Sequence, residues 1–359
     1  LEIILMKKNN YTPIENIINI AKKGGMFILV DDEKRENEGD LIISTSDSNA
    51  KNINFMAKYG RGLICLALDS LQAKRLNLTL MSPINQSRNK TAFTVSIEAK
   101  KGITTGISAM DRSKTIKIAS KKNVNKKDIV SPGHVFPIIA KDGGVLVRAG
   151  HTEASVDISK LAKMNPSSVI CEVMNEDGRM ARYDDLLNFA KKHKLKIASI
   201  EDLISYRLKN EKLILKIKNK KVKIKKFGVF NLNIFKYKLD NINHLAITKG
   251  NFSLNKSSRV RVISIKNFNK VENLKNSNFI KSLKYLSQFN NFALIIIKND
   301  TFNTNKGESV KSTNILRYYG IGAQIIKDLK IKNMVLVSRA RKKIIGLDGY
   351  GIKITKQEI

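Results

Sequence analysis

The sequence has few of the features that mark membrane proteins, secreted proteins or proteins that bind metals through cysteine. Its 359 residues include no Trp, two Cys and five Pro. The longest apolar runs, such as 26–30 and 292–297, are far shorter than the roughly 18 residues that a membrane-spanning helix needs. We therefore expect a cytoplasmic protein that does not span a membrane. The first residues do not have the pattern of a secretion signal, which agrees with this expectation. Leu1 and Met6 are alternative natural starts.

The two cysteines are too few and too deeply placed for a disulfide framework or a cysteine-bound zinc site. Cys65 and Cys171 each lie inside an apolar run that is typical of a buried strand. A buried thiol in such a run is ordinarily reduced and unreactive. We expect both cysteines to be buried and free, and we expect no zinc.

Acidic residues are scarce in the second part of the chain, and the net charge of the whole is +35. Residues 1–208 contain 33 Lys and Arg against 23 Asp and Glu, whereas residues 209–359 contain 33 against 8. Such an excess attracts phosphate backbones. However, the lysines are spread evenly among Asn and Ile, as an AT-rich genome would encode, and no nucleic-acid motif is present. We expect no nucleic-acid binding; a basic RNA-binding module after residue 208 is the alternative.

Strand patterns alternate with helical patterns over the first 208 residues, which favours an α/β domain of the layered α+β kind. Helical patterns occur near 48–58, 152–164, 183–193 and 200–208. The predicted strands are MFILV (26–30), LIIST (41–45), LICLAL (63–68), FTVSIEA (93–99), GVLVRAG (144–150) and SVICEVM (168–174). After residue 208 the chain becomes Lys-rich and aliphatic. We therefore predict two domains, 1–208 and 209–359.

Acidic side chains crowd one predicted loop, where six of the ten residues from 31 to 40 are Asp or Glu. Such crowding costs folding free energy unless positive charge offsets it. Hard divalent cations such as Mg²⁺ prefer carboxylate ligands. Arg35 lies within the run, and Gly39 would let the backbone approach a ligand closely. A magnesium site is one interpretation, and a solvated turn is the other.

A second polar stretch runs from SPGHVFP (131–137) into GGVLVRAGHTEA (143–154). It contains His134 and His151, two of the four histidines, with Arg148 beside glycines. Arginine and hydroxyl groups suit a phosphate-bearing substrate, while histidine suits metal ligation or proton transfer. Glu172 interrupts an apolar run, where it could act as a general acid or base or could face solvent at a strand end.

These segments, in order, closely resemble the 3,4-dihydroxy-2-butanone 4-phosphate synthase family of riboflavin biosynthesis. The resemblance covers about residues 12–208 and rests on eight collinear segments: GGMFILVDDEKRENEGDLI, RGLICLAL, FTVSIEA, GITTGISAMDRSKTI, SPGHVFP, GGVLVRAGHTEASVDI, VICEVMNEDGRMAR and DLISYR. So many motifs in the same order are a far more specific signal than any one of them.

The resemblance implies that D-ribulose 5-phosphate is converted to L-3,4-dihydroxy-2-butanone 4-phosphate and formate with Mg²⁺, for which Mn²⁺ is an alternative. Loss of a proton beside the ketone gives an enediolate, whose charge a divalent cation stabilises. It implies Glu36 and His151 as metal ligands, and His134, Glu172 and Glu38 as catalytic residues. The implied substrate contacts are Arg35, Glu36, Asp40, Thr105, Arg148, Ala149, Gly150, His151, Thr152 and Glu172. A homodimer with its sites near the subunit interface is also implied.

The second part resembles the GTP cyclohydrolase II domain that is often fused behind this synthase. The similar segments are HLAITKG (244–250), RVRV (259–262), RYYGIGAQIIKDLKI (317–331) and GLDGYGIKI (346–354). The active family has three cysteine zinc ligands after the RVRV-like strand, but no cysteine follows Cys171, and His244 alone cannot replace them. We expect a degenerate α/β domain that does not hydrolyse GTP; a bifunctional enzyme is the alternative.

Overall fold

The computed structural model describes residues 11–33, 35–239, 242–252, 257–266, 271, 275–298, 312–339 and 350–358, with only the backbone at 312–317. Leu1 and Met6, and parts of the segments 263–276, 293–309 and 346–354, lie outside the described residues. The chain divides into two compact units, residues 1–204 and 205–359. The boundary predicted near residue 208 stays a prediction, because this division falls within one continuous helix, Ile200–Asn210.

The first unit is a seven-stranded mixed sheet with helices packed against it. Its helices are α1 (Ile14–Lys22), α2 (Ala50–Phe55), α3 (Ser70–Arg75), α4 (Ala109–Ala119), α5 (His151–Leu161), α6 (Tyr183–Lys192) and α7 (Ile200–Asn210). Its strands are β1 (Phe27–Val30), β2 (Gly39–Ser44), β3 (Cys65–Leu68), β4 (Ile97–Ala99), β5 (Ile129–Ile139), β6 (Ser167–Glu172) and β7 (Lys196–Ser199). The strand order is β4-β5-β3-β6-β2-β1-β7.

The core of this unit is formed by the aliphatic strands that the sequence predicted. Ile28, Leu41, Ile43, Leu66 and Val169 belong to one buried cluster, and full burial of such a side chain contributes about 1.5–3 kcal/mol. The predicted burial of the two cysteines is confirmed, since both thiols are buried and free. Burial raises the pKa of both thiols, so neither is a ready nucleophile.

Two strand predictions need correction. GVLVRAG (144–150) is not a strand: it begins with a short 3₁₀ helix, Gly144–Leu146, because Gly143 and Gly144 adopt φ values of 90° and 62°. These left-handed angles end an extended chain, and the carboxylate of Asp157 holds the turn by accepting a hydrogen bond of 2.8 Å from the Val145 amide. Of FTVSIEA (93–99), only the last three residues form a strand, β4.

The second unit also contains a seven-stranded mixed sheet, in the order β14-β13-β11-β12-β10-β9-β8. The predicted α/β class is therefore confirmed for both parts. Its elements are β8 (Ile214–Ile224), β9 (Gly228–Tyr237), β10 (Asn243–Lys249), β11 (Ser258–Ile265), α8 (Ser277–Leu286), β12 (Phe292–Lys298), α9 (Ser312–Asp328), β13 (Asn333–Val337) and β14 (Lys353–Glu358). Among the helices of the described residues, none has the length and apolar character to cross a membrane.

Three neighbouring strands of the first unit place the polar residues of interest together. β2 pairs antiparallel with β1 and with β6. In this register Asp40 on β2 lies opposite Leu29 on one side and Glu172 on the other. The acidic loop joins the end of β1 to the start of β2. Asp40 and Glu172 lie at the same ends of these neighbouring strands.

Candidate active site

The acidic loop is held in shape by its first carboxylate, Asp31. One oxygen of the buried Asp31 accepts hydrogen bonds from Arg35 Nη1 at 2.7 Å and from the Glu36 amide at 3.2 Å. The other accepts from the Glu38 amide at 2.9 Å. These bonds fold the loop back on itself and hold the backbone at Glu36 and Glu38. The sequence identified the acidic run but not the organising role of Asp31.

His151, the first residue of α5, faces the acidic loop with its Nδ1 atom. Its Nε2 atom lies 3.2 Å from the carbonyl oxygen of Leu29; since a carbonyl only accepts, Nε2 carries a proton, and Nδ1 is the nitrogen that remains to bind a metal ion. Nδ1 lies 3.8 Å from Glu36 Oε2 and 3.7 Å from Asp40 Oδ1. These separations are too long for hydrogen bonds, so the three polar atoms surround a small space.

The charges around this space fit a divalent cation. Ligand atoms of Asp31, Glu36 and His151 all lie within 4.8 Å of one another. Asp40 Oδ1 is buried and has no hydrogen-bond partner among the described residues, which is costly for a carboxylate. Carboxylate oxygens with one imidazole nitrogen suit Mg²⁺ or Mn²⁺. The donor set and the unpartnered oxygen therefore fit the metal that the sequence predicted.

Burial and neighbouring charges shift the pKa values of the groups in this cluster. Burial alone would raise the pKa of Glu36, but His151 and Arg35 beside it lower that pKa to about 2. Burial raises the pKa of Asp40, and Glu172 and Glu36 add to the rise while His151 opposes it. Burial would lower the pKa of His151, yet Asp40 and Glu36 outweigh it and raise that pKa, so a metal ion that binds Nδ1 would displace a proton from it. A cation in the space would relieve the repulsion between these carboxylates.

Glu172, the last residue of β6, is half-buried beside this cluster. Its Oε2 atom accepts a hydrogen bond of 2.8 Å from the Leu63 amide. Gly62 lies against it, because a Cβ atom there would come within 2.6 Å of the same oxygen and 2.5 Å of the Glu172 carbonyl oxygen. A side chain at position 62 would therefore displace the carboxylate that lies next to Asp40.

Two guanidinium groups converge on the backbone before α5. A Cβ atom on Gly150 would lie 2.4 Å from Arg148 Nη1 and 3.1 Å from Arg35 Nη2. Arg148 also contacts Glu153 Oε2 at 2.7 Å. Thr152, in the first turn of α5, is buried, and Ala149 is half-buried. Two arginines at the start of a helix form a suitable site for a phosphate group.

His134 and Thr105 lie near β4, the edge strand of the same sheet. The register aligns Phe136 of β5 with Cys65 of β3, then with Ile170 of β6 and Ile42 of β2. The backbone of His134 is therefore three strand spacings, about 14 Å, from the backbone of Asp40 within one chain. Thr105 is exposed beside Gly106, and a Cβ on Gly106 would approach His134 Nδ1 to 2.7 Å. The structure thus places the predicted site residues in two groups.

Comparison with known proteins decides which family the fold represents. The sequence model of 3,4-dihydroxy-2-butanone 4-phosphate synthase matches residues 15–206. The chain belongs to the 3,4-dihydroxy-2-butanone 4-phosphate synthase family. The sequence model of GTP cyclohydrolase II matches residues 280–358, so both resemblances inferred from the motifs are confirmed.

Curated relatives of this synthase family match nearly the whole chain. A riboflavin biosynthesis protein RibBA of Aquifex aeolicus is 40% identical, over 97% of this chain and 92% of the relative. A 3,4-dihydroxy-2-butanone 4-phosphate synthase of Photobacterium phosphoreum is 41% identical, over 95% and 97%. Enzymes of the synthase family therefore share both parts of the chain.

Solved structures agree with this assignment. RibBX, a two-domain 3,4-dihydroxy-2-butanone 4-phosphate synthase from A. baumannii, has a TM-score of 0.82 and 37% identity, covering 97% of this chain and 98% of its own. A 3,4-dihydroxy-2-butanone 4-phosphate synthase in complex with two magnesium ions has a TM-score of 0.53 and 36% identity, covering 56% and 98%.

Four further residues of this synthase contact the candidate site residues, and the motifs gave them no role. They are Asp31, Asn89, Glu98 and Arg182. Asn89 donates a hydrogen bond from Nδ2 to Glu36 Oε1, and its carbonyl oxygen accepts one from Arg148. The sequence does contain a signal for Glu98, because this carboxylate interrupts the strand-like run FTVSIEA, as Glu172 interrupts SVICEVM. No local pattern points to Asn89 or Arg182.

Arg182 holds the part of the acidic loop that carries Glu36 and Glu38. Its Nη1 atom donates hydrogen bonds of 2.6 Å to the carbonyl oxygens of Glu36 and Asn37. Asn37 has a φ of 55°, a left-handed conformation that costs free energy in a residue with a side chain. The same guanidinium lies 3.8 Å from Glu38 Oε1. Arg182 thus stabilises a strained turn next to a candidate metal ligand.

We predict that Arg182→Ala lowers the affinity for Mg²⁺ about tenfold, because second-sphere contacts of metal sites have effects of this size. Isothermal titration with Mg²⁺ measures this, and Arg182→Lys should recover part of the loss. Arg179→Ala is the matched control, since Arg179 contacts Asp177 at 2.7 Å on the surface. Equal Mg²⁺ affinity in Arg182→Ala and Arg179→Ala would contradict the prediction.

Proposed function

We propose that this chain converts D-ribulose 5-phosphate to L-3,4-dihydroxy-2-butanone 4-phosphate and formate in riboflavin biosynthesis. The observation that carries this proposal is the space between Glu36, Asp40 and His151, where a buried Asp40 oxygen with no hydrogen-bond partner among the described residues lies 3.7 Å from Nδ1 of His151. Membership of the synthase family supports the reaction. The presence of every site residue that the family resemblance implies adds further support.

We assign the metal to Glu36 and His151, with Asp31 as a third ligand. When bound, a divalent cation supplies positive charge that stabilises negative charge developing on the sugar oxygens. Lowering of the Glu36 pKa keeps this carboxylate ionised and ready to act as a ligand. His151 presents Nδ1 because the Leu29 carbonyl oxygen holds the proton on Nε2.

The phosphate and the reacting carbons are assigned to different side chains. Arg35 and Arg148 approach the Gly150 backbone, where amide groups at the start of α5 would bind the phosphate with Thr152. Ala149 would contribute only backbone contacts. Asp40, Glu38 and Glu172 border the sugar carbons. Burial raises the pKa values of Asp40 and Glu38, which suits groups that take up and return protons.

A homodimer is part of the proposal, because His134 is too far from Asp40 to share one substrate within a chain. The strand register separates the two backbones by about 14 Å, and His134 turns its Nδ1 atom to Glu98 of β4, away from the strand that carries Asp40. Exposed apolar residues flank the Thr105 loop, with Ile107 55% and Met110 70% exposed. Such surfaces favour association. His134 and Thr105 of one subunit would then complete the site of the other.

The second unit is proposed not to hydrolyse GTP. No cysteine follows Cys171 in the sequence, so thiolate ligands for zinc are missing, and no zinc is expected. His244 is buried, and its Nδ1 atom accepts a hydrogen bond of 3.2 Å from the Lys298 amide, which is a structural role. GTP cyclohydrolase II activity by a cysteine-free route is the alternative.

Several expectations from the sequence stay predictions. They are the use of Mn²⁺ in place of Mg²⁺, the cytoplasmic location and the absence of nucleic-acid binding. For Mn²⁺ the donor set gives support, because carboxylates with one imidazole bind both ions.

Removal of the metal tests the proposed reaction. We expect the purified protein to convert D-ribulose 5-phosphate to equal amounts of formate and a four-carbon phosphate. A formate assay measures the first product, and ³¹P NMR measures the second. EDTA should abolish both products, and excess Mg²⁺ should restore them. The reason is that the cation held by the carboxylate cluster stabilises the negative charge that develops on the substrate. Unchanged turnover after EDTA treatment and removal of bound metal would contradict the metal assignment.

A further inference from the structure

His134 is carried by an irregular segment of β5, and this makes its orientation depend on neighbouring residues. Ile97 of β4 pairs with Val135, but Glu98 pairs with Val130. Residues 131–134 therefore bulge out of the ladder opposite a single peptide step of β4. A bulge re-aims a side chain and leaves it without the support of regular pairing.

Ser96, which directly precedes β4, and Glu98 of β4 hold this bulge through their polar atoms. Ser131 Oγ donates a hydrogen bond of 2.7 Å to the Ser96 carbonyl oxygen, and the Gly133 amide donates to Ser96 Oγ at 3.1 Å. At the end of the bulge, His134 Nδ1 lies 2.6 Å from Glu98 Oε1. The Glu98 side chain is 14% exposed, whereas the His134 side chain is 44% exposed.

The loop before α4 packs directly on this carboxylate and histidine. A Cβ atom on Gly106 would fall 1.4 Å from Glu98 Oε1 and 2.7 Å from His134 Nδ1. Asp111 fixes the loop by accepting hydrogen bonds from Thr104 Oγ1 at 2.7 Å and from the Gly106 amide at 3.1 Å. Only glycine at position 106 lets the loop approach so closely, and it brings Thr105 next to the pair.

We propose that Glu98 is a positioning residue for His134: its carboxylate holds the proton on Nδ1 and turns the free Nε2 lone pair away from β4. The proposal rests on the proposed function, in which His134 acts on the substrate. A carboxylate beside one ring nitrogen fixes the tautomer and the ring plane, leaving the other nitrogen as the base. Glu98 itself does not touch the reacting atoms.

Histidine tautomers can be read directly by ¹⁵N NMR of protein labelled at histidine. The chain has four histidines, and His134→Asn identifies the signals of His134. We expect the neutral His134 ring of the wild-type protein to carry its proton on Nδ1. In Glu98→Ala this preference should be lost, with Nε2-protonated ring appearing. A wild-type ring protonated on Nε2 would overturn the proposal, whether or not the protein shows activity.

Kinetics provide the second readout. We expect Glu98→Ala to lower kcat about 10- to 100-fold, with KM changed less than about threefold, since ground-state binding does not use Glu98. Glu98→Gln keeps the shape and an acceptor oxygen, so it should retain more activity than Glu98→Ala. Glu176→Ala, at a carboxylate 84% exposed, is the matched control and should match the wild type.

These measurements separate failure of the inference from failure of the proposed function. A wild-type protein that releases no formate contradicts the proposed function. The tautomer of His134 then still tests whether Glu98 positions that ring. If the wild type is active and a folded Glu98→Ala keeps its kcat within about twofold, the positioning role is wrong. If Glu98→Ala does not fold, Glu98→Met, which keeps the length of the side chain but has no acceptor oxygen, takes its place, and unchanged kcat with an unchanged tautomer in that variant overturns the positioning role.

Discussion

Replacing Glu36 with glutamine is expected to lower formate release from D-ribulose 5-phosphate about 1000-fold, the largest effect we predict for a single substitution. Glutamine keeps the size of Glu36 and its contact with Asn89, but it removes the negative charge beside His151. His151 and Arg35 lower the pKa of Glu36 to about 2, so this carboxylate is ionised at neutral pH. Losing it should weaken Mg²⁺ binding as well as turnover.

Two measurements check this prediction. Isothermal titration should show weaker Mg²⁺ binding by Glu36→Gln, and the formate assay should show the loss of kcat even at high Mg²⁺ concentration. Glu33→Gln is the matched control, because Glu33 lies in the same loop with an exposed side chain and should change kcat less than about twofold. Wild-type Mg²⁺ affinity in Glu36→Gln would refute the assignment of Glu36 as a ligand.

Mixing two inactive variants is expected to restore activity, because we place Glu36 and His134 of one site on different subunits. Glu36→Gln and His134→Ala should each be nearly inactive alone. Random pairing makes about half of the dimers mixed, and one of the two sites in each mixed dimer is intact, so activity should return to about a quarter of the wild-type level.

The mixing experiment requires subunit exchange, which co-expression of the two variants with different affinity tags provides. The heterodimer isolated through both tags should have about half the wild-type kcat per dimer. A mixture of Glu36→Gln and Arg35→Ala is the control that should stay inactive, since both substitutions fall in the same group of residues. A purified heterodimer no more active than its parents would show that each site is built from one chain.

Much of the first unit could be predicted from sequence because its signals are local. The aliphatic strands around residues 28, 42, 66 and 170 are short apolar runs, and they form the centre of the sheet. The acidic loop is contiguous, so its composition pointed to a cation site, with a solvated turn as the alternative. The collinear motifs then predicted which distant residues belong to the site.

The rest depended on contacts between residues far apart in sequence. GVLVRAG has the composition of a strand, yet two glycines with positive φ turn it into a loop that ends at His151. Arg182 reaches carbonyl oxygens of the acidic loop 145 and 146 positions earlier, and no local pattern encodes that. The separation of His134 from Asp40 follows from strand order, which the sequence did not predict.

The most direct test of the central claim offers two substrates separately to one preparation of the full-length protein and measures formate. With Mg²⁺ we predict formate from D-ribulose 5-phosphate and none from GTP, even when Zn²⁺ is added. Formate from GTP would contradict the inference from the missing cysteines. No formate from the sugar phosphate, in the presence of Mg²⁺, would contradict the proposed function itself.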